Sequence, residues 1–289
     1  MRTNEDKLVT VSVLGEVSSP KVKVPYYRVG HDGQARITPF TGGITYNVRV
    51  GDRALGWAAD HVEPGASVKH SDEGANGALN LLACVGNEAV VVSGDAKGAR
   101  GIVTGKHGGI EHVLVDFAPS DLEKMTIGDK VQIRARGQGL ELEDFPGIRV
   151  MNIDPDFLGW MGVEVYGAKL RVPVVGIVPA ELMGSGMGSP LSESGDYDIT
   201  TQDPEVLREH GLEDLRLGDV VAIRDMSGFY GYSYRRGSVI IGIVVHTDSF
   251  ISGHGPGVTC LMSCNDGEIE PVKVEGANIA GYIEEKRKS

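Results

Sequence analysis

Residues 240–259, IIGIVVHTDSFISGHGPGVT, combine a buried-strand pattern with side chains that can bind metal or move protons. A run of β-branched residues leads directly into His246, Asp248 and His254. His254 sits in Gly253-His-Gly-Pro-Gly257. Glycines on both sides of an imidazole allow backbone conformations closed to other residues and leave room beside the ring. Two readings follow: a metal or substrate site at a strand end, or a tight turn whose histidine caps a carbonyl. A second concentration is Asp60, His61, Glu63, His70 and Asp72, in a loop made by Pro64 and Gly65. Such loops carry function or are simply solvated. His107, in Lys-His-Gly-Gly, is another imidazole beside glycine. Asp196 and Asp198 lie two apart, so on a strand they share a face. Like charges placed that way repel unless a cation or a shared proton intervenes.

The elements that must position these groups are mostly strands. Val9, Val11 and Val13 alternate with polar residues, as do Ile44, Tyr46, Val48 and Val50. Residues 113–117, 169–178 and 240–245 also read as strands, and residues 183–190 as a flexible glycine loop without the P-loop ending. Helix signals are few: an apolar stretch at 75–83, Asp154-Pro155 and Asp203-Pro204, each with proline at the first helical position, the last closed by Gly211. One pattern occurs twice: Ile127-Gly-Asp-Lys-Val-Gln-Ile-Arg134 and Leu217-Gly-Asp-Val-Val-Ala-Ile-Arg224. The repeat supports two β-rich halves, 1–150 and 151–289, with barrel-like sheets and a few short helices, mostly β in an α+β sense.

Composition narrows the class. Glycine supplies 41 of 289 residues, about double the usual ~7%, which implies many tight turns. The net charge is −12 with no basic block beyond a short C-terminal tail, which argues against nucleic acid and anionic membranes as partners. Cys84, Cys260 and Cys264 form no Cys-x-x-Cys pair, and the N-terminus lacks an apolar signal core. A cytoplasmic protein with reduced thiols is expected. Many strand edges and the tyrosines at 230–234 suggest a homo-oligomer.

Three resemblances add to this. Residues 94–103 resemble the short KOW motif, two strands around a glycine turn in a small barrel. Asp60-His-Val-Glu-Pro64, Lys106-His-Gly-Gly109, Gly137-Gln-Gly-Leu140, Met151-Asn-Ile-Asp-Pro155 and Gly253-His-Gly-Pro-Gly257 resemble a prokaryotic family catalogued as domain of unknown function 4438. That likeness spans nearly the whole chain and implies a two-part protein without an assigned activity. Gly195-Asp-Tyr-Asp198, Leu215-Arg-Leu-Gly-Asp219 and the Gly253–Gly257 segment follow the order of motifs in the acetamidase/formamidase family. His254 stands where that family has an acid, and Pro256 replaces its glutamate.

The resulting expectation is a metal-dependent hydrolase of a small amide or related C–N bond. Asp198, His246 and His254 would hold a divalent metal such as zinc. Asp196 or Asp248 would take the proton of an activated water. Asp60, His61, Glu63 and His107 would contact substrate. The alternative is a non-catalytic small-molecule-binding or assembly protein.

Overall fold

The computed structural model describes residues 1–22, 26–37 and 40–288. Strand takes 40% of the chain and helix 15%, so the β-rich expectation holds. The first half is a closed barrel. Strand Val11–Val17 pairs with Lys130–Ala135, and the order continues through Glu88–Val91, Arg100–His107, His112–Phe117 and Gly65–Lys69. Val17 pairs with Val68 of Gly65–Lys69, which returns the sheet to its first strand. Closure removes the free edges an open sheet would expose. Val13, Val68, Val103, Val115, Val131 and Ile133 fill the interior.

The second half carries another seven-stranded sheet. Its path runs Gly176–Val178, Val220–Ser227, Ser233–Val244, Gly257–Cys264, Tyr197–Ile199 and Met183–Met187, with Ile148–Val150 paired to Gly257–Cys264. Strand Gly257–Cys264 also faces the barrel. Thr259 Oγ1 accepts from the Lys106 amide at 3.1 Å and donates to the Lys106 carbonyl at 3.0 Å. Val85, Ile102 and Leu114 of the barrel share one apolar cluster with Ile241, Ile243 and Leu261. The barrel and the second sheet thus meet across an apolar interface, and the candidate site residues sit at its rim.

The repeated Gly-Asp pattern is a repeated turn. Asp129 Oδ2 accepts from the Thr126 amide at 2.8 Å, and Asp219 Oδ2 accepts from the Arg216 amide at 2.8 Å. Gly128 and Gly218 adopt φ of 91° and 87°. Each turn launches a strand, Lys130–Ala135 in one half and Val220–Ser227 in the other. The three helix signals mark helices Glu73–Leu82, Pro155–Trp160 and Pro204–His210, with Gly211 left-handed as the last cap.

Three segments differ from expectation. Only Ile44–Thr45 of the alternation at 44–50 is strand. Beyond it the Arg49 amide bonds Asp52 Oδ2 at 2.8 Å, and Val48 packs into the second half's core, so tertiary burial overrides the period of two. Residues 169–178 split in two because the chain changes sheets: Lys169–Val174 pairs with Ile269–Lys273, and Gly176–Val178 with Val220–Ser227. The glycine stretch at 183–190 contains an edge strand, Met183–Met187, paired irregularly with Tyr197–Ile199. No described helix is long and apolar enough to cross a membrane.

Candidate metal centre

Six side chains from five places in the chain meet where the barrel touches the second sheet. His107 ends strand Arg100–His107. His61 precedes Gly65–Lys69, with φ of 51°. That left-handed backbone is uncommon for a non-glycine residue and is held here by the His61 amide bonding the Asp248 carbonyl at 3.1 Å. Asp198 lies in Tyr197–Ile199, with Asp196 just before it. His246 follows the end of Ser233–Val244, and His254 lies in the loop before Gly257–Cys264.

Two groups form. In the inner one, His107, Asp196 and His246 bring one potential ligand atom each within 4.8 Å of the others. His246 Nε2 lies 2.8 Å from Asp196 Oδ2. In the outer one, His61, Asp198 and His254 meet the same limit. His254 Nδ1 lies 3.1 Å from Asp198 Oδ2 and 3.3 Å from His61 Nε2. Asp198 links the two groups, with Oδ1 3.6 Å from His246 Nε2 and Oδ2 3.6 Å from His61 Nε2. The His107 and His246 rings stack at 4.2 Å between centroids, and His61 and His246 approach at 5.0 Å.

The far side of three of these imidazoles is held by an acceptor. His61 Nδ1 bonds Asp60. His107 Nδ1 lies 2.5 Å from Glu63 Oε1, and His246 Nδ1 2.9 Å from the Thr247 carbonyl. An acceptor at Nδ1 places the proton there and leaves a lone pair on Nε2. His246 Nε2 therefore faces both carboxylates and His61 Nε2 faces Asp198, positions where a cation could take the place of a proton. The carboxylates are oriented in turn: the Gly108 amide donates to Asp196 Oδ1 at 2.8 Å and the Gly255 amide to Asp198 Oδ2 at 3.2 Å.

The electrostatics follow from burial among four acids, Asp60, Glu63, Asp196 and Asp198. Burial pulls the His61 pKa down, but its bonds to Asp198 and Asp60 prevail and carry it up to about 10. Burial likewise pulls the His246 pKa down, but its bond to Asp196 prevails and shifts it up. Burial and the neighbouring His246 hold His107 below the usual imidazole range. Burial would raise Glu63, yet His112 and His107 hold it well below the carboxylate range. Burial would also raise Asp198, and the His254 and His61 bonds instead lower it. Without a cation, protons on imidazole are what offsets the carboxylate charge. A divalent ion would do the same while sparing the Nε2 lone pairs, so these residues fit one.

Residues 27–159 match the N-terminal family model for domain of unknown function DUF4438, and residues 160–283 match the C-terminal one. The chain belongs to the DUF4438 family. It is also similar to the crystal structure of TM1086, at 51% identity and a TM-score of 0.93, over 98% of this chain and 99% of that one. No curated protein matches. These matches include no acetamidase or formamidase.

Within this DUF4438 chain, the residues singled out in sequence fall into three places. Asp198, His246 and His254, expected as ligands, converge, and Asp196, expected as a base, joins them. His61 and His107, expected at substrate, belong to the same two groups. Asp60 and Glu63 do not face the cavity; they lie behind His61 and His107 as buried acceptors. Asp248 departs from expectation. The strand ends at Val244, so the period of two no longer applies at 246–248. Asp248 Oδ2 turns to the Gly56 amide at 3.1 Å, on the side of a separate surface pocket with Trp57 and Phe250. Burial pushes its pKa up, and its carboxylate hydrogen-bonds none of the six side chains.

His112 was not legible as a site residue. It lies just outside the strand expected at 113–117, yet it opens the observed strand and its Nδ1 lies 3.0 and 3.1 Å from the two Glu63 oxygens. The glycines beside His254 do not clear space for that ring. A Cβ at Gly257 would overlap Asp196 and His246, and one at Gly255 would overlap the Ile199 carbonyl.

Proposed function

We propose that this protein is a divalent-metal-dependent hydrolase of a small molecule, with the amide or related C–N bond suggested by the sequence motifs as its substrate. The observation that carries the metal is the set of three imidazoles, His61, His107 and His246. Their Nδ1 atoms are each held by an acceptor, His246 Nε2 faces Asp196 and Asp198, His61 Nε2 faces Asp198, and His107 stands within ligand distance of Asp196 and His246. Orientation of histidine ligands by outer carboxylates and carbonyls is the usual support of metal sites. The buried group His107–Asp196–His246 would hold a cation, and Asp198 would tie it to His61 and His254.

A bound cation would supply Lewis-acid polarisation and a water of lowered pKa. The chain's own groups do the rest. Asp196 and Asp198 are consumed as ligands. That leaves His254, whose side chain is 35% exposed, as the group able to exchange a proton with a substrate at the cavity mouth. A cavity of about 250 Å³ opens over His61, His107, Asp196, Asp198 and His254. It is below the ~300–1,000 Å³ of sites for drug-sized ligands, which fits a small substrate.

Metal analysis of the purified chain, followed by thermal unfolding with and without chelator, tests the reading. At a free cation concentration a hundredfold above Kd, binding stabilises by about 2.7 kcal/mol. Chelation should then lower Tm by about 4–5 °C. A metal-free protein whose Tm is unchanged by added zinc, manganese or cobalt would overturn it.

A further inference from the structure

Two cations stand on the wall of this cavity, and neither pairs with a carboxylate among the described residues. They are Lys21 and Arg28, from the paired segments Lys21–Val22 and Tyr27–Val29. Arg28 lies directly opposite Arg36 in the hairpin, an arrangement of like charges that costs stability. Arg36 is neutralised: its Nη1 donates to Asp32 Oδ1 at 2.7 Å and its Nη2 to Oδ2 at 2.5 Å. Arg28 has no such partner among the described residues and faces the cavity instead. The hairpin is tied to the loop that carries His254, because the His31 amide donates to the Phe250 carbonyl at 2.9 Å. Arg28 is therefore presented by a segment fastened at the mouth, while Lys21 comes from a separate pairing of Lys21–Val22 with Phe40–Thr41. The remaining walls include the apolar Ile110, Met187 and Ile251.

We propose that the substrate is a small oxyanion, a carboxylate or phosphate with a short apolar body, whose anionic group binds Arg28 and Lys21 while its reacting end meets the His/Asp cluster. This rests on the metal reading above. A planar guanidinium donates a matched pair of hydrogen bonds to a carboxylate or phosphate. A net charge of −12 overall would repel an anion in general, so two unpaired cations at one cavity mark where an anion is admitted. The floor carries Asp196 and Asp198, whose charge the imidazole protons offset only in part, so a divalent cation is what admits an anion there.

Metal content of the purified protein is read first. Metal-loaded and chelator-stripped protein are then titrated calorimetrically with malonate and with inorganic phosphate. The loaded protein is expected to bind one of them, which identifies the anion as carboxylate or phosphate, and the stripped protein neither. The double variant Lys21→Gln/Arg28→Gln should keep its metal and lose about tenfold or more in anion affinity. Arg28→Lys, which keeps the charge and loses the paired donors, should fall between. A wild-type chain that takes up no divalent cation overturns the metal reading and this inference with it. A metal-loaded chain that ignores both anions, binds them equally when stripped, or binds them unchanged in the double variant overturns this inference alone.

Discussion

Glu63→Gln is the substitution that most directly tests how the histidines are oriented. Glu63 is fully inside the protein, 3% exposed, and both oxygens are committed. Oε2 accepts from the Gly42 amide at 2.9 Å and from the Ser67 hydroxyl, while Oε1 accepts from His107 Nδ1 at 2.5 Å. A glutamine has one acceptor oxygen. The Gly42 amide cannot reverse its role, so the carboxamide oxygen must take the Oε2 position and the NH2 must face His107. His107 then accepts at Nδ1 and carries its proton on Nε2, which removes the lone pair aimed at the inner group. Loss of such an outer partner costs about 10–100-fold in metal affinity, or about 1.4–2.7 kcal/mol. Competition of metal-free protein against a fluorescent chelator measures it. Unfolding of the metal-free forms separates this loss from any fold destabilisation. His107→Ala should cost at least as much, and adding Glu63→Gln to it should cost little more, because the two act through one bond. Affinity within about twofold of wild type in Glu63→Gln, or full additivity in the pair, would refute the tautomer argument.

Other outcomes follow from the same geometry. His254→Ala should lose metal or anion affinity while unfolding of the metal-free protein shifts by less than about 1 kcal/mol, since the ring is partly exposed and lies in a loop; calorimetry and chemical denaturation check both halves. Gly257→Ala should destabilise by about 1–3 kcal/mol and abolish metal retention, because its Cβ would overlap Asp196 and His246; metal content read beside thermal unfolding distinguishes it from a harmless change. Asp116 offers a pH test away from the site: burial pushes its pKa up from 3.8 to about 6, against the pull of Arg287. The folded value exceeds the unfolded one, so this stabilisation is full below pH ~4 and is lost as pH rises through about 6, on the order of 2–3 kcal/mol. Denaturation from pH 4 to 8 should show Asp116→Asn removing that decline, and an unchanged slope would disprove the assignment.

Local features of the sequence determined much of the scaffold. Proline at the first turn and aspartate before it set the starts of Pro155–Trp160 and Pro204–His210, and Gly211 the end of the latter. The two Gly-Asp turns recur because an aspartate accepting from the amide three residues earlier needs only local backbone geometry. The types of residue that converge were also legible: imidazoles and carboxylates beside glycines. Their roles were not. Asp60 and Glu63 sit within three residues of His61, yet the rings they hold and the cavity they miss are set by barrel closure. Asp248 is two residues from His246, yet the strand and its period of two end at Val244, so the two side chains part. Chain spacing carries no information about partners such as Asp198 and His61, which are 137 residues apart (198 − 61) and meet at 3.6 Å. Only the seam between two sheets brings them together, because the register of Gly257–Cys264 against Tyr197–Ile199 and its contact with Arg100–His107 decide which strand ends share a cavity.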